Sequence, residues 1–324
     1  MSSTPVNDKL MVGIDIGGTK TGVALLNFQG EVIQKKYFPT EYQQGERNLI
    51  ERIIECFETL LDLAGSHTDA VRSVGIGVPG SVDYETGEVL LAPNIFWKNV
   101  PLGQWMREYF QKPVFIDYDT KASALAEQVR GAGKNAQNLA YVTISTGIGC
   151  GLILNGKVFR GKNGTAGELG HVVVDPQGLI CHCGNRGCLQ MYSSGPALMV
   201  HAKKALQNQA SSLILSLAGG VDLIKPEHVI EAAKLSDPLA LTLFHTSMNY
   251  LALGISHMIN ILNLELIILG GGVLRGAESM ILQFIKEKAI SYSYPVAQNC
   301  VRFTTSQLGE DVGIIGAGLL PGYW

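Results

Sequence analysis

The sequence predicts an α/β protein of two lobes. Three observations carry that expectation: apolar strands repeatedly end in glycine turns, helical patterns follow several of those turns, and a strand–glycine–strand unit at 10–28 is echoed at 139–154. The echo suggests an internal duplication in which each lobe offers a phosphate-binding turn to one nucleotide. A chain of 324 residues, 46% hydrophobic and 16% charged, suits about two domains with a sizeable core. A net charge of −3 argues against an electrostatic nucleic-acid or membrane binder, so small molecules are the expected partners. The opening MSSTPVNDKL has no signal-peptide pattern, and no apolar run of about 18 residues is free of polar interruptions, so a cytoplasmic location is expected.

Residues 1–9 read as a disordered lead-in. The stretch 10–16 is then a buried strand carrying Asp15 near its end, followed by Gly17, Gly18, Thr19 and Lys20. Strands at 21–28 and 31–37, joined by a turn at Gly30, make the opening a β-meander. Asp15 gives the glycine turn its interest. Backbone N–H groups in such a turn can approach phosphate oxygens, and a carboxylate beside them can hold Mg²⁺ directly or through water. An ordinary hairpin turn with an exposed Asp is the plainer alternative. Leu49, Ile53, Phe57 and Leu60 or Leu61 fall on one face of a helix over 46–64. The strand at 71–78 ends in Pro79-Gly80-Ser81, and Asp83, Gly87 and Ala92-Pro93-Asn94 lead on to Trp97. Asn94 can hydrogen-bond a hydroxyl and Trp97 can wall a pocket, but Asn after Pro is also a routine turn residue and Trp a routine anchor. A strand at 113–117 passes through Tyr118, Asp119, Thr120 and Lys121 into an Ala-rich helix at 122–130. Asp119 therefore stands near a helix N-terminus, either as an N-cap or as a general base at a strand end.

The strand at 139–145 runs into Thr146-Gly147-Ile148-Gly149-Cys150-Gly151, then 152–154 and an Asn155-Gly156 hairpin turn. The densest chemistry lies at 167–190, where Glu168, His171 and His182 share a short span with Cys181, Cys183 and Cys188. Thiolates and imidazole are the ligand set of a closed tetrahedral zinc site. The Gly, Asn, Arg and His around these cysteines do not make a core strand that would bury free thiols. A disulfide would leave one cysteine over and would need an oxidising compartment. His171 is the expected fourth ligand, because His182 lies between two ligands, where its side chain would tend to point away. Cys56, Cys150 and Cys300 are isolated and read as packed residues. Beyond the cluster come a helix at 195–207, an irregular excursion at 208–222, helices at 225–233 and 237–261, and a short strand at 266–269 that opens on Gly270-Gly271-Gly272. A helix at 278–290, a strand at 301–305 and a small-residue helix at 312–320 complete the chain. The glycine triplet reads as an adenine or ribose site, where a flat ring lies close to backbone, or as a tight strand-to-helix turn.

In this order the motifs resemble the ROK family of sugar kinases and repressors, within the sugar kinase, Hsp70 and actin ATPase superfamily, over about residues 10–320. GIDIGGTK at 13–20 and TISTGIGCG at 143–151 are similar to the family's two phosphate loops, and GIGVPGSVD at 75–83 to its sugar-side loop. GELGH at 167–171 with CHCGNRGCL at 181–189 resembles its zinc and sugar signature, and LGGGV at 269–273 its adenosine motif. The resemblance implies a two-lobed actin-like ATPase (ribonuclease H-like) fold with an interdomain cleft. A small α/β lobe at 1–121, completed by the helix at 308–324, would face a larger lobe at 122–307 that carries the zinc loop. It further implies ATP and Mg²⁺ in the cleft, structural Zn²⁺ and phosphoryl transfer to a sugar hydroxyl; a homodimer or larger homo-oligomer is expected. Asp119 is similar to the family's catalytic base. Asp15, Gly17, Gly18, Thr19, Lys20, Thr146, Gly147, Gly149, Gly270, Gly271 and Gly272 would serve nucleotide and phosphate. Gly80, Asn94, Tyr118, Asp119, Glu168, His171 and Gln190 would serve the sugar, and His171, Cys181, Cys183 and Cys188 the zinc.

The chain departs from the family pattern at three residues. Where the family has Asn-Asp-x-Asn this chain has Tyr118-Asp119-Thr120-Lys121, and where it has Glu after the last Cys-Leu this chain has Gln190. Tyr118 replaces a small amide that bonds sugar hydroxyls, and Gln190 removes a negative charge. Both should move specificity away from plain glucose, toward an altered hexose, an amino sugar or a cyclitol. Lys121 has no account from sequence. The expected activity is an ATP-dependent kinase for a hexose or hexose-like hydroxyl, with a catalytically impaired sugar sensor of the same family as the alternative. A DNA-binding repressor, which would carry a helix-turn-helix domain ahead of the first strand, is the lesser expectation.

Overall fold

The computed structural model describes residues 9–207 and 211–323. All but Lys9 of the lead-in expected at 1–9, and the first residues of the excursion expected at 208–222, lie outside the described residues. Two compact units divide the chain, one of residues 1–137, 151–166 and 306–324, the other of residues 138–150 and 167–305. Among the described residues, no helix is long and apolar enough to cross a membrane.

The first unit begins with β1 (Leu10–Ile16), β2 (Lys20–Leu26), β3 (Val32–Pro39) and α1 (Glu46–Leu63). It continues with β4 (Val71–Val78), β5 (Ser81–Asp83), β6 (Glu88–Ala92), β7 (Trp97–Val100), α2 (Leu102–Phe110), β8 (Val114–Tyr118) and α3 (Asp119–Arg130). Its main sheet has the order β3-β2-β1-β4-β8. β1 pairs antiparallel with β2 and parallel with β4, and β4 parallel with β8, so the central strands read as continuous apolar runs. On α1 the expected face of Leu49, Ile53, Phe57 and Leu60 is buried. The short antiparallel sheet β5-β6-β7 was not legible, since strands of three to five residues interrupted by Gly87, Pro93 and Asn94 show little alternation. Of the two readings open for Trp97, pocket wall or structural anchor, the structure bears out the anchor: the residue is 3% exposed within the apolar core.

The chain then forms β9 (Leu139–Ile144), β10 (Ile148–Leu154) and β11 (Lys157–Val158). In the second unit follow α4 (Gln190–Ser193), α5 (Gly195–Leu206), α6 (Leu213–Ala218), α7 (Pro226–Lys234) and α8 (Pro238–Leu262). After these come β12 (Leu266–Gly270), α9 (Glu278–Tyr292), α10 (Pro295–Gln298) and β13 (Arg302–Thr305). The second sheet runs β11-β10-β9-β12-β13, with β12 parallel to both β9 and β13 and buried along its whole length. The excursion expected to be irregular contains α6, which Ser212 caps by accepting the Ile214 N–H at 3.2 Å. Asp237 caps α8 in the same way through the Ala240 N–H, at 2.8 Å.

The chain returns to the first unit as α11 (Val312–Leu319), all of it buried. This helix lies directly on the first sheet. A Cβ on Gly13 would stand 2.0 Å from the Ile314 carbonyl oxygen, and one on Gly75 would stand 1.7 Å from that of Ala317. Glycine at these two strand positions is what lets the helix backbone approach so closely.

Candidate active site and metal centre

In the first unit, strand register sets Asp15 beside Gly77 and Gly77 beside Asp117. A Cβ on Gly77 would lie 3.5 Å from Asp15 Oδ1 and 3.3 Å from Asp119 Cα. The bare glycine therefore brings the end of β1 and the start of α3 close together, with a carboxylate on either side. Asp119 is the first residue of α3, three positions earlier than the helix expected from sequence, and its Oδ1 accepts the Thr120 N–H at 2.6 Å. The N-cap position belongs to Tyr118, without a side-chain cap bond, so Asp119 is not the N-cap. Asp15 retains some exposed surface, yet burial pushes its pKa to about 6 against the opposing pull of Lys20. Gly313, in the first turn of α11, must be glycine here because a Cβ would stand 2.2 Å from Asp15 Oδ2.

The turn at Gly17, Gly18 and Thr19 is closed by the Gly17 N–H bonding the Lys20 carbonyl at 3.0 Å. Gly18 faces Asn94, whose Cβ would be 3.5 Å from a Cβ placed there, and Thr19 is exposed. Lys20 pairs with Glu310 at 3.1 Å and lies over the Tyr37 ring at 4.4 Å. Gly80 has a packing reason, since a Cβ would meet the Leu91 carbonyl oxygen at 2.3 Å. The hydroxyls of Tyr118 and Ser81 share a hydrogen bond of 2.9 Å, which ties Tyr118 to the start of β5. Sequence reasoning missed Ser81, and also Arg160, whose Nε donates to Asp117 Oδ2 at 2.7 Å. No local signal marks either contact, because the partners lie 37 and 43 positions apart.

In the second unit the Ser145 N–H bonds the Gly147 carbonyl at 3.0 Å, which leaves Thr146 exposed at the tip of a tight turn. Gly149 belongs to β10, not to the turn, since the strand begins at Ile148. The glycine triplet divides by role. A Cβ on Gly270 would stand 2.3 Å from the Tyr141 hydroxyl oxygen, and one on Gly271, at φ +99°, would stand 2.3 Å from the Ile144 carbonyl oxygen. A Cβ on Gly272 would meet only Ser145 Oγ, at 4.0 Å, so this is the position that leaves bare backbone toward open space.

The metal-type cluster is formed by His171, Cys181, Cys183 and Cys188, one ligand atom from each lying within 4.8 Å of all the others. His182 is exposed and stands outside the group. The Cys183 and Cys188 sulfurs are 3.7 Å apart, and Cys181 Sγ is 3.8 Å from His171 Nδ1. Edges of about 3.6–3.8 Å are what a tetrahedron with Zn–S near 2.3 Å and Zn–N near 2.1 Å requires, so donor set and spacing fit zinc. Burial and the neighbouring thiols push the Cys188 thiol up to about 12. Cys181 is held below the ordinary thiol value despite its burial, by hydrogen bonds led by that from the Cys183 backbone. Without a cation the cluster must keep protons that a bound metal would displace.

Two further residues touch this centre. His171 Nε2 is 3.9 Å from Glu168 Oε2, so the carboxylate stands behind the imidazole, on the side away from the sulfurs. Gln190 Nε2 donates to Cys181 Sγ at 3.3 Å, while its Oε1 lies beside Gly147 and Gly170. An amide can donate to sulfur where a carboxylate cannot.

Residues 11–321 match the ROK family. A glucokinase of Thermotoga maritima is 35% identical to this chain, over 95% of the chain and 95% of that protein. A crystal structure of a ROK family glucokinase from Streptomyces griseus, in complex with glucose and AMPPNP, matches with a TM-score of 0.84 and 31% identity over 96% of this chain and 98% of that one. A xylose repressor of Caldicellulosiruptor bescii is 34% identical over 80% of this chain and 65% of its own length.

Proposed function

The chain belongs to the ROK family, and on that premise we propose that it is an ATP-dependent sugar kinase acting on a hydroxyl of a hexose or hexose-like substrate. The observation that carries this reading is the pair of carboxylates, Asp15 and Asp119, set on either side of Gly77. Glucokinases and repressors share the family, so fold alone does not choose between them. A binding protein has no need of a base at a strand end, whereas phosphoryl transfer does.

Asp119 accepts the proton of the attacking hydroxyl as the bond to phosphorus forms. The turns at Gly18-Thr19 and at Thr146-Gly147, beyond the N–H groups of Gly17 and Ser145 that close them, would offer backbone N–H groups to phosphate oxygens. Mg²⁺, when bound with ATP, would neutralise phosphate charge, and Asp15 would hold it. Gly272 gives the adenosine moiety bare backbone to lie on. The zinc is structural in this reading: four protein ligands leave no open position for substrate or water, and the metal fixes the loop that carries Glu168. Tyr118, tied to Ser81, and Gln190, tied to Cys181, are the two proposed sugar contacts at which this chain departs from the family pattern. They direct the search to altered hexoses, amino sugars and cyclitols alongside glucose.

ADP release measured across such a panel tests the proposal. Release that depends on one sugar, and that Asp119→Asn lowers about 10²–10⁴-fold, is the expected result. Thermal stabilisation by a sugar with no turnover would make the protein a sensor instead.

A further inference from the structure

Lys121 is 1% exposed, and a buried ammonium survives only where its charge and its donors are met. Its Nζ donates to the Gly164 carbonyl at 2.8 Å and lies 3.9 Å from the centre of the Tyr118 ring. A second cation makes a matching contact four residues earlier on the same segment, where Arg160 Nε donates at 2.7 Å to Asp117, itself 2% exposed. Asp117 and Lys121 each stand two positions from Asp119, one before it and one after it. The segment is pressed home as well as tied: at Gly164, φ +83°, a Cβ would lie 3.2 Å from the Val82 carbonyl oxygen and 3.5 Å from Tyr84. Residues 160–164 therefore grip the junction of β8 and α3 at two charged points that bracket the proposed base. Lys121 has no surface for a ligand, so any effect on chemistry passes through the residues it holds.

We propose that Lys121 and Arg160 are positioning residues, a two-point clamp by which segment 160–164 fixes the Asp119 carboxylate and the Tyr118 ring in place for phosphoryl transfer. The inference rests on the kinase reading for its catalytic consequence but on the fold alone for the clamp. A base misplaced by a fraction of an ångström loses rate without losing nucleotide binding. A merely structural lysine would lower stability and leave the turnover of folded protein unchanged.

The test compares wild type, Lys121→Met, Arg160→Lys and the double variant by kcat and KM on the sugar that turns over, with thermal stability alongside. Each single variant is expected to lose about tenfold or more in kcat, with KM for ATP within about twofold. The double variant should lose little beyond the worse single, because releasing either end frees the same segment. A kcat within about twofold of wild type in the folded single variants, or losses that multiply in the double variant, overturns the proposal. If Lys121→Met does not fold, Arg160→Lys, which keeps the charge and loses the guanidinium geometry, carries the comparison. Amide hydrogen exchange separates this failure from failure of the kinase reading. Even if wild type phosphorylates no sugar, the clamp requires faster exchange in Lys121→Met or Arg160→Lys at both 118–121 and 161–165, and unchanged exchange at either segment overturns it.

Discussion

Asp15 is a carboxyl group whose burial pushes its pKa to about 6, well above the ordinary 3.8. Because the folded value is the higher one, folding takes up a proton between pH 3.8 and about 6, and the metal-free fold loses stability as pH rises through that window. Mg²⁺ binding has the opposite sign, since the cation needs the ionised form and must displace a proton below about pH 6. On the proposed reading, the Mg²⁺ concentration needed for half-maximal activity rises as pH is lowered below about 6, and metal titrations at stepped pH check this. A requirement that stays flat from pH 7 to 5 would remove Asp15 from metal binding. The sequence made Asp15 visible as a carboxylate before a glycine turn. It could not show that Gly313, nearly 300 positions later, packs against that carboxylate, because such a contact leaves no local pattern. Lys121 was opaque for the same reason: its partner carbonyl lies 43 residues on, at a glycine chosen for its backbone.

At the scale of elements, the glycine turns were legible and their division of labour was not. Three glycines after a strand look alike in sequence, yet Gly271 is committed to packing on β9 while Gly272 faces open space. Gly271→Ala is expected to destabilise the protein by about 1–3 kcal/mol, from overpacking together with its positive φ. Gly272→Ala should leave stability within about 0.5 kcal/mol and weaken ATP binding, and paired denaturation and nucleotide titrations distinguish the two. If Gly272→Ala binds ATP as wild type does, the adenosine role is wrong. The zinc loop shows the opposite balance. Its ligand types and the preference for His171 over His182 were readable from spacing, and the four donors do converge. What Gln190 touches was not readable, because the Cys181 contact depends on the fold of the loop. Metal analysis of the pure protein should find one zinc per chain, and stripping it with a chelator should lower Tm by about 5 °C or more. Substoichiometric zinc in folded, stable protein would rule the structural site out.

At the scale of the whole molecule, order was the strongest signal. Each motif alone is modest, but strand-end glycine turns, a carboxylate at a strand-to-helix junction and a Cys/His loop in fixed succession single out one family, and residues 11–321 fit it. The actin-like α/β fold follows, with two mixed five-stranded sheets. The small sheet of β5, β6 and β7 escaped notice, and the choice between the two readings of Trp97 stayed open, because short strands and isolated aromatics carry little periodic information. Glucokinases and a xylose repressor are both similar to this chain, so the central claim rests on chemistry. Its most direct test is to incubate the protein with ATP, Mg²⁺ and the sugar panel and to look for a phosphorylated sugar by mass spectrometry, with Asp119→Asn in parallel. The account predicts one or a few sugars gaining a phosphate with wild type and about 10²–10⁴-fold less product with Asp119→Asn. Sugar binding without any phosphorylated product, or equal product from both proteins, would contradict it.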